Sequence, residues 1–251
     1  MEFLALPGQL YVTGLVFMRV GAIVMLIPGI GEGFVPIRLR LGLALLLSLA
    51  MSSIAAPTLP ALPGTLGEMG GAVIKELLIG LMLAGLMRFT LSALSVAGEV
   101  VSMQTTLGFA QTANPIQAQP GAALASFLTL LGVTLIFATN LHHLFIGAIA
   151  RSYTLFAPAK HVQLADAAAV AVKALGASFA LGIQMSAPVI VFSVVFQIAS
   201  GLVGRVMPQF QIFFAATPLS LLLGLSVFAV SLGGGMLVWL DRYQTFLGLF
   251  T

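Results

Sequence analysis

Residues 206–240 read VMPQFQIFFAATPLSLLLGLSVFAVSLGGGMLVWL, without a single Lys, Arg, Asp or Glu. A helix needs about 20 predominantly apolar residues to cross the hydrocarbon layer of a bilayer, and this run can hold one. Its apolar residues are continuous, whereas a membrane barrel strand alternates. An open sheet cannot face lipid, because its edges would leave backbone N–H and C=O groups unpaired. The reading is therefore a membrane helix. Three more charge-free runs extend it along the chain, Leu41–Gly67, Val100–Ala150 and Ala174–Gly204.

Composition agrees with that reading. Of 251 residues 60% are hydrophobic and 7% charged, with a mean hydropathy of +1.14. A soluble domain carries about 25% charged residues. This chain lacks the polar groups to cover a globular surface, so lipid or a large protein partner must cover it, and a soluble enzyme is excluded. The net charge of +3 and pI near 9.7 raise the question of nucleic acid. The Lys and Arg residues are scattered singly and form no basic stripe, which argues against it. The absence of cysteine excludes disulfides and thiolate metal sites. The opening Met1-Glu2-Phe3-Leu4 has no basic region ahead of its apolar stretch, so the N-terminus reads as retained and not as a cleaved signal peptide.

Charge, Pro and Gly divide the chain into six apolar stretches within one membrane domain, 1–251. They are Leu10–Ile27, Leu41–Ala56, Ala72–Gly98, Ala122–Ala150, Leu164–Ser200 and Pro208–Leu240. The Pro28–Gly33 segment breaks the first, and Pro57, Pro60 and Pro63 close the second. Arg151–Gln163 reads as a polar break. The fifth is long enough to kink or fold back at Pro188, and Pro218 lies within the sixth. The expected fold is all-α, about six long helices or hairpins in a membrane.

Small residues recur at close-packing spacing in Gly80 with Ala84, Gly121 with Ala125 and Gly176 with Ala180. Abundant Ala and Gly produce the same spacing by chance. Single crossings by all six stretches would leave Arg151, Lys160 and Arg242 on one side and Arg38, Arg40 and Arg205 on the other, so the basic-loop rule returns a tie.

Few residues could carry chemistry. His142 and His143 are adjacent, so on a helix they point about 100° apart. No acidic residue lies near them, and interfacial or hydrogen-bonded histidines fit better than a metal site. Gly176-Ala177-Ser178 comes nearest to the nucleophile turn of an intramembrane serine protease, yet Phe179 stands where that turn wants a second Gly. A Ser nucleophile would also need a base to activate it. No catalytic, metal or cofactor residue is assigned. The charges inside apolar stretches say more. A lone charge in lipid costs at least a few kcal/mol, so it normally faces protein or water. Arg19 sits mid-way along the first stretch, where an ion pair or polar interface fits best. Glu76, with Lys75, is near enough to a helix end to snorkel, and Arg88 lies deeper in the third stretch.

Gln104–Gly121 is rich in amides, hydroxyls, Gly and Pro and carries no charge. Gly and Pro interrupt a helix here. An ordinary solvated connection is one reading. Loops of this length are uncommon in compact proteins and often functional, and a neutral lining would suit a pore that passes many peptide sequences.

Several segments, taken together, resemble one family. They are Gly201-Leu-Val-Gly-Arg205-Val-Met-Pro208-Gln209-Phe-Gln-Ile-Phe213 with Pro218-Leu219 and Gly224, the opening Arg19-Val-Gly21, Pro28-Gly29, Val35-Pro36 and Arg38, and Glu99, Met103, Gly108-Phe109-Ala110 and Asn114-Pro115. In their order along the chain and with their spacing they are similar to FliR-type subunits of the flagellar type III export gate. The family often has Asn where Gln211 stands and Asp where Asn114 stands, and both exchanges keep hydrogen-bonding ability. The resemblance implies a FliP-like part followed by a FliQ-like hairpin, assembly with FliP-type and FliQ-type subunits, docking of FlhB-type and FlhA-type proteins, and passage of unfolded flagellar substrates across the bacterial inner membrane at the flagellar basal body. It implies a channel plug at Leu107–Pro115, comprising Leu107, Gly108, Phe109, Ala110, Gln111, Asn114 and Pro115. Arg19, Arg38, Glu76, Arg88, Arg205, Pro208 and Gln209 are the residues expected to serve structure and assembly. No cofactor and no nucleic acid is expected, and lipid is a partner. An injectisome homologue shares the Arg-x-x-Pro-Gln region. A small-solute transporter would be expected to show internal repeats with matching broken helices, and the sequence has no convincing repeat.

Overall fold

The computed structural model describes residues 6–59, 62–107, 123–156, 164–207, 209 and 212–248. Among these the chain forms seven α-helices, one short 3-10 turn at Ala56–Thr58 and no strand. The helices are α1 (Leu6–Leu26), α2 (Ile37–Ala55), α3 (Leu66–Gln104), α4 (Ala123–Ala138), α5 (His142–Leu155), α6 (Leu164–Val206) and α7 (Ile212–Gly248). Five of them are long and apolar enough to cross a membrane, and the bent pair α4–α5 makes a sixth if counted as one span. This is the all-α membrane architecture expected from the apolar runs. A helix satisfies its backbone within one segment, which is what lipid demands.

Turn chemistry sets the helix ends. After α1 the chain turns through Pro28 and Gly29, the latter at φ 88°, a conformation that favours glycine. Arg40 closes the turn from the first turns of α2. Its Nε donates to Val35 O at 3.0 Å, its Nη2 to Val35 O at 2.7 Å and Glu32 O at 2.8 Å, and its Nη1 to Gly31 O at 3.3 Å. Thr65 begins α3 as a side-chain cap, its Oγ1 accepting from Glu68 N at 3.3 Å.

The fourth apolar stretch is two helices, not one. Within Ala122–Ala150, α4 and α5 meet at a bend of 77°. Asn140 adopts φ 59°. Leu141 N donates to Ile136 O at 3.0 Å and Asn140 N to Phe137 O at 3.2 Å, the paired bonds of a Schellman C-terminus. Asn tolerates the left-handed conformation better than other side chains, and it was the signal in the sequence. The expected polar break at Arg151 is also corrected, since α5 runs on to Leu155 with Arg151 turned outward and exposed while Ser152 and Tyr153 are buried. The fifth stretch neither breaks nor folds back. α6 continues through Pro188, losing one backbone bond, a loss that membrane helices tolerate. α7 begins at Ile212, later than the expected Pro208.

The chain clusters into two compact units. One comprises Met1–Thr90, Ile136–Leu175 and Tyr243–Thr251, the other Leu91–Leu135 and Gly176–Arg242. In the first, α1 buries Leu15, Val16, Val20, Ile23 and Val24, a stripe at helical spacing, and α3 contributes Ile79, Leu83, Leu86 and Met87. In the second, Leu91, Leu94, Ala97 and Val101 of α3, Leu128 of α4 and Trp239 of α7 are buried. Lipid tails are as apolar as leucine, so close packing must supply the attraction between helices. Gly80 does so for α1 and α3: a Cβ there would lie 2.5 Å from Arg19 O. Gly98 does so for α3 and α4, where a Cβ would lie 2.4 Å from the backbone of Ala125. Of the three small-residue pairs read from sequence, Gly80 with Ala84 lies at such a contact, Gly176 faces open space, and Gly121 lies outside the described residues.

Gly80→Ala is expected to destabilise the protein by about 1–3 kcal/mol, the usual cost of overpacking, while Gly176→Ala is close to neutral. Thermal unfolding after extraction in mild detergent measures both. Equal midpoints for the two variants would show that the Gly80 contact is not limiting.

Candidate functional site

The most polar point of the first unit lies on its most apolar helices. Arg19 of α1 is 0% exposed and Glu76 of α3 is 1% exposed. Their side chains form a bidentate pair, with Nε donating to Glu76 Oε2 at 2.6 Å and Nη2 to Oε1 at 2.9 Å. The remaining donors go to the end of α5. Nη1 donates to Ser152 O at 2.9 Å and Ser152 Oγ at 3.2 Å, and Nη2 to Phe156 O at 3.1 Å. All five guanidinium N–H groups are thus matched. The Tyr153 ring lies 4.2 Å from the guanidinium carbon and offers it a π face.

The arrangement follows from helix physics. The C-terminal end of a helix carries the negative pole of its dipole, and there the Ser152 carbonyl, which accepts from Phe156 N at 2.9 Å, takes Arg19 as a second donor. A cation placed there satisfies the carbonyls and is stabilised by them. Ser152 turns its own hydroxyl proton back to Ile149 O at 2.7 Å, so its oxygen is free to accept from Arg19. Glu76 cancels the charge. One buried neutral cluster therefore joins α1, α3 and α5. Glu76 does not snorkel as its place near a helix end suggested, because Arg19 offers a nearer partner than water. Ser152, Tyr153 and the Phe156 carbonyl were missed in the sequence, where they sat inside the supposed polar break.

The other charged candidates are placed apart. Arg88 Nη1 lies 3.6 Å from Glu32 Oε1 and donates to Leu26 O at 3.3 Å, beside the α1–α2 turn. Arg38 is exposed in the first turn of α2. Arg205 is exposed in the last turn of α6, and Gln209 is exposed beyond it. His142 stacks on Phe137 with ring centroids 5.2 Å apart, at the α4–α5 bend, and His143 lies 4.2 Å from it. In the second unit the end of α3 is anchored, Ser193 Oγ of α6 donating to Gln104 Oε1. Of the expected plug only Leu107 is described, and it is partly buried. Gly108, Phe109, Ala110, Gln111, Asn114 and Pro115 lie outside the described residues, as does Pro208.

Breaking the pair from one side is expected to be far worse than removing it. Arg19→Met or Glu76→Met alone leaves an uncompensated buried charge and is expected to cost about 3–5 kcal/mol, whereas the double variant Arg19→Met with Glu76→Met recovers most of the loss. A double-mutant cycle on thermal stability in detergent reads the coupling. Additive losses would show that the two side chains act independently.

The sequence can now be set beside known proteins. Residues 10–246 match the family described as bacterial export proteins, family 1. The chain is 53% identical over 251 residues to the flagellar biosynthetic protein FliR of Caulobacter vibrioides, covering 100% of each chain. It is 29% identical over 214 residues to FliR of Escherichia coli, covering 84% of this chain and 80% of that one. With FliR of Bacillus subtilis it shares 28% over 217 residues, covering 82% and 80%. A family match over nearly the whole chain, with identity of this level end to end, leads to one assignment: the chain belongs to the FliR family of bacterial export proteins.

Proposed function

We propose that the chain is a subunit of the flagellar type III protein export gate, seated in the bacterial inner membrane at the flagellar basal body. In this reading it helps to form and to close the channel through which unfolded flagellar proteins leave the cell, and it acts without covalent chemistry. The observation that carries the reading is the end-to-end likeness to a flagellar biosynthetic protein. The structure supplies a physical reason for assembly. Most of the apolar length of α6 and of α7 is left unburied, and Val191, Val195, Ile198, Leu202, Leu222, Val230 and Leu237 are exposed. Faces this apolar need lipid or protein cover, and FliP-type and FliQ-type subunits are the proposed cover, with FlhB-type and FlhA-type proteins docking on the assembled gate. In this reading Arg205, exposed where α6 ends, binds backbone carbonyls of a neighbour, and Pro208 and Gln209 serve the same assembly contact. Arg19, Glu76 and Arg88 serve the chain's own packing, and Arg38 stands at its surface.

Tagged chain co-expressed with FliP-type and FliQ-type subunits is expected to yield one large, monodisperse particle in mild detergent, and the chain alone is expected to aggregate or degrade. A stable monomer that ignores those subunits would remove the basis of the proposal. An injectisome role predicts instead a particle with virulence-type subunits only.

The plug is part of the same proposal. A channel wide enough for an unfolded chain leaks ions unless something fills it at rest. Leu107 and Phe109 supply bulk, Gln111 and Asn114 supply amides for neighbouring subunits, and the neutral segment holds no charge that would trap a passing substrate. Shortening 107–115 is expected to leave assembly intact and to raise the conductance of membranes carrying the whole gate. Unchanged permeability in a correctly assembled variant places the seal elsewhere.

A further inference from the structure

The second half of α3 is covered on one side and open on the other. Ala93, Ala97, Val101 and Thr105 are buried and recur every fourth residue. Close neighbours stand around this half of the helix. A Cβ on Gly182 of α6 would lie 2.7 Å from Ala93 O, one on Gly224 of α7 would lie 2.6 Å from Thr105 Cγ2, and Gly98 meets the backbone of Ala125 on α4. On the other side Ser92, Ser95, Glu99 and Met103 share an arc of roughly 80°, at about 100° per residue. Glu99 is exposed, Met103 is 74% exposed, and the two serines are partly buried.

Glu99 has no cation within reach in its own unit. Among the described residues none forms an ion pair or hydrogen bond with it. The unit's basic residues are Arg205 and Arg242. α6 runs parallel to α3, with Gly182 beside Ala93 and, eleven residues further along each helix, Ser193 bonded to Gln104. Glu99, six residues past Ala93, therefore stands level with Pro188. Arg205 is seventeen residues beyond that level, about 25 Å at 1.5 Å per residue. α7 runs the other way, Gly224 beside Thr105 and Gly235 beside Met185, which puts Arg242 about 15 Å from the level of Glu99. Arg88 stands eleven residues earlier on α3 and pairs with Glu32. A lone carboxylate on an apolar helix does not face hydrocarbon.

Ser95 and Glu99 are four residues apart, so they are neighbours on the helix surface. Ser95 Oγ donates its proton back to Ser92 O at 3.1 Å, which leaves its oxygen as an acceptor, and a carboxylate only accepts. A guanidinium has donors and no acceptor, and it carries the balancing charge. The chain already uses this pairing inside its first unit. There Arg19 meets the Glu76 carboxylate and Ser152 Oγ, whose proton likewise returns three residues back, to Ile149 O.

We propose that Ser95 and Glu99 receive an arginine from a helix of a neighbouring subunit, which lies along α3 over Ser92 and Met103. An open arc of this width is the footprint of one helix. The small side chains of Ser92 and Ser95 let its backbone come close. The contact deepens the export-gate reading and rests on it for the identity of the neighbour, though not for the chemistry of the contact.

The test is run on the complex purified from cells in mild detergent. The photoreactive residue p-benzoylphenylalanine, placed at position 103, is expected to crosslink a neighbouring helix within two turns of an arginine. Glu99→Arg is expected to lower recovery of the complex about tenfold, since like charges then face each other. Glu99→Gln is expected to lower it less, because the amide oxygen still accepts. Exchanging the neighbour's arginine for Glu is expected to restore recovery with Glu99→Arg, which no repair of a misfolded chain would do. Recovery of the Glu99→Arg complex at the wild-type level would overturn the proposal, and altered membrane conductance in that complex would make the face a channel wall instead. A crosslink to a helix without arginine, or failure of the exchange to rescue, would overturn it as well. A wild-type complex without FliP-type and FliQ-type subunits, with crosslink and rescue intact on another neighbour, would count against the export reading and support this contact.

Discussion

A guanidinium placed in a low-dielectric interior has to be matched donor by donor, and the first unit is arranged around that requirement. Arg19 finds a carboxylate on α3 and three acceptors at the end of α5. Each partner constrains more than itself. Glu76 holds α3 in register against α1. The Ser152 and Phe156 acceptors require α5 to run past Arg151 and to end beside Arg19. The left-handed turn at Asn140 then lets one apolar stretch change direction between α4 and α5. Stability is the weaker part of such a cluster's value, because desolvation offsets much of the attraction. Its specificity is greater: a one-residue slip of α1 would leave a bare cation in the core.

Around this polar point the packing is that of a membrane protein. Hydrocarbon gives helices little reason to associate through burial alone, so backbone approach at small residues supplies contact in its place. Gly80 brings α3 onto the backbone of α1, and Gly98 brings α3 onto that of α4. The same helix, α3, is the most buried of the apolar spans, whereas α2, α6 and α7 leave most of theirs open. A buried helix with open companions is the plan of a component built to be surrounded. In the proposed gate the surroundings are lipid and neighbouring subunits.

Charge is then used sparingly and in three different ways. Inside, Arg19 and Glu76 neutralise one another. At the α1–α2 end, Arg40 binds the chain's own carbonyls and Arg88 pairs loosely with Glu32, leaving Arg38 to face outward. Near the end of α6, Arg205 stands where that helix exposes its last carbonyls, a position that favours a cation. The expectation that three basic residues on each side cancel left Arg88 aside, because it lies within the third apolar stretch. In space it belongs to the α1–α2 end.

The sequence by itself determined the class of structure, since 60% hydrophobic and 7% charged residues in long uncharged runs admit only helices surrounded by lipid or protein. The scattered motifs that resemble the FliR family were equally legible, because they depend on residue identity and order and not on contact. Tertiary structure decided everything that depends on which groups meet. Glu76 read as a snorkelling carboxylate because its partner stands 57 residues away, and no local pattern announces a pair of that separation. Ser152 and Tyr153 read as polar punctuation and became ligands of a buried cation. Gly80 and Gly176 carry the same small-residue spacing, yet only Gly80 meets another backbone. Asn140 lay in plain view inside an apolar run, but one polar residue can cap a helix or simply interrupt one, and the 6→1 hydrogen bond that distinguishes the two exists only in the folded chain. Periodicity and composition are local sums, while ion pairing and close backbone approach are pairwise and long-range, and that difference separates what could be read from what had to be seen.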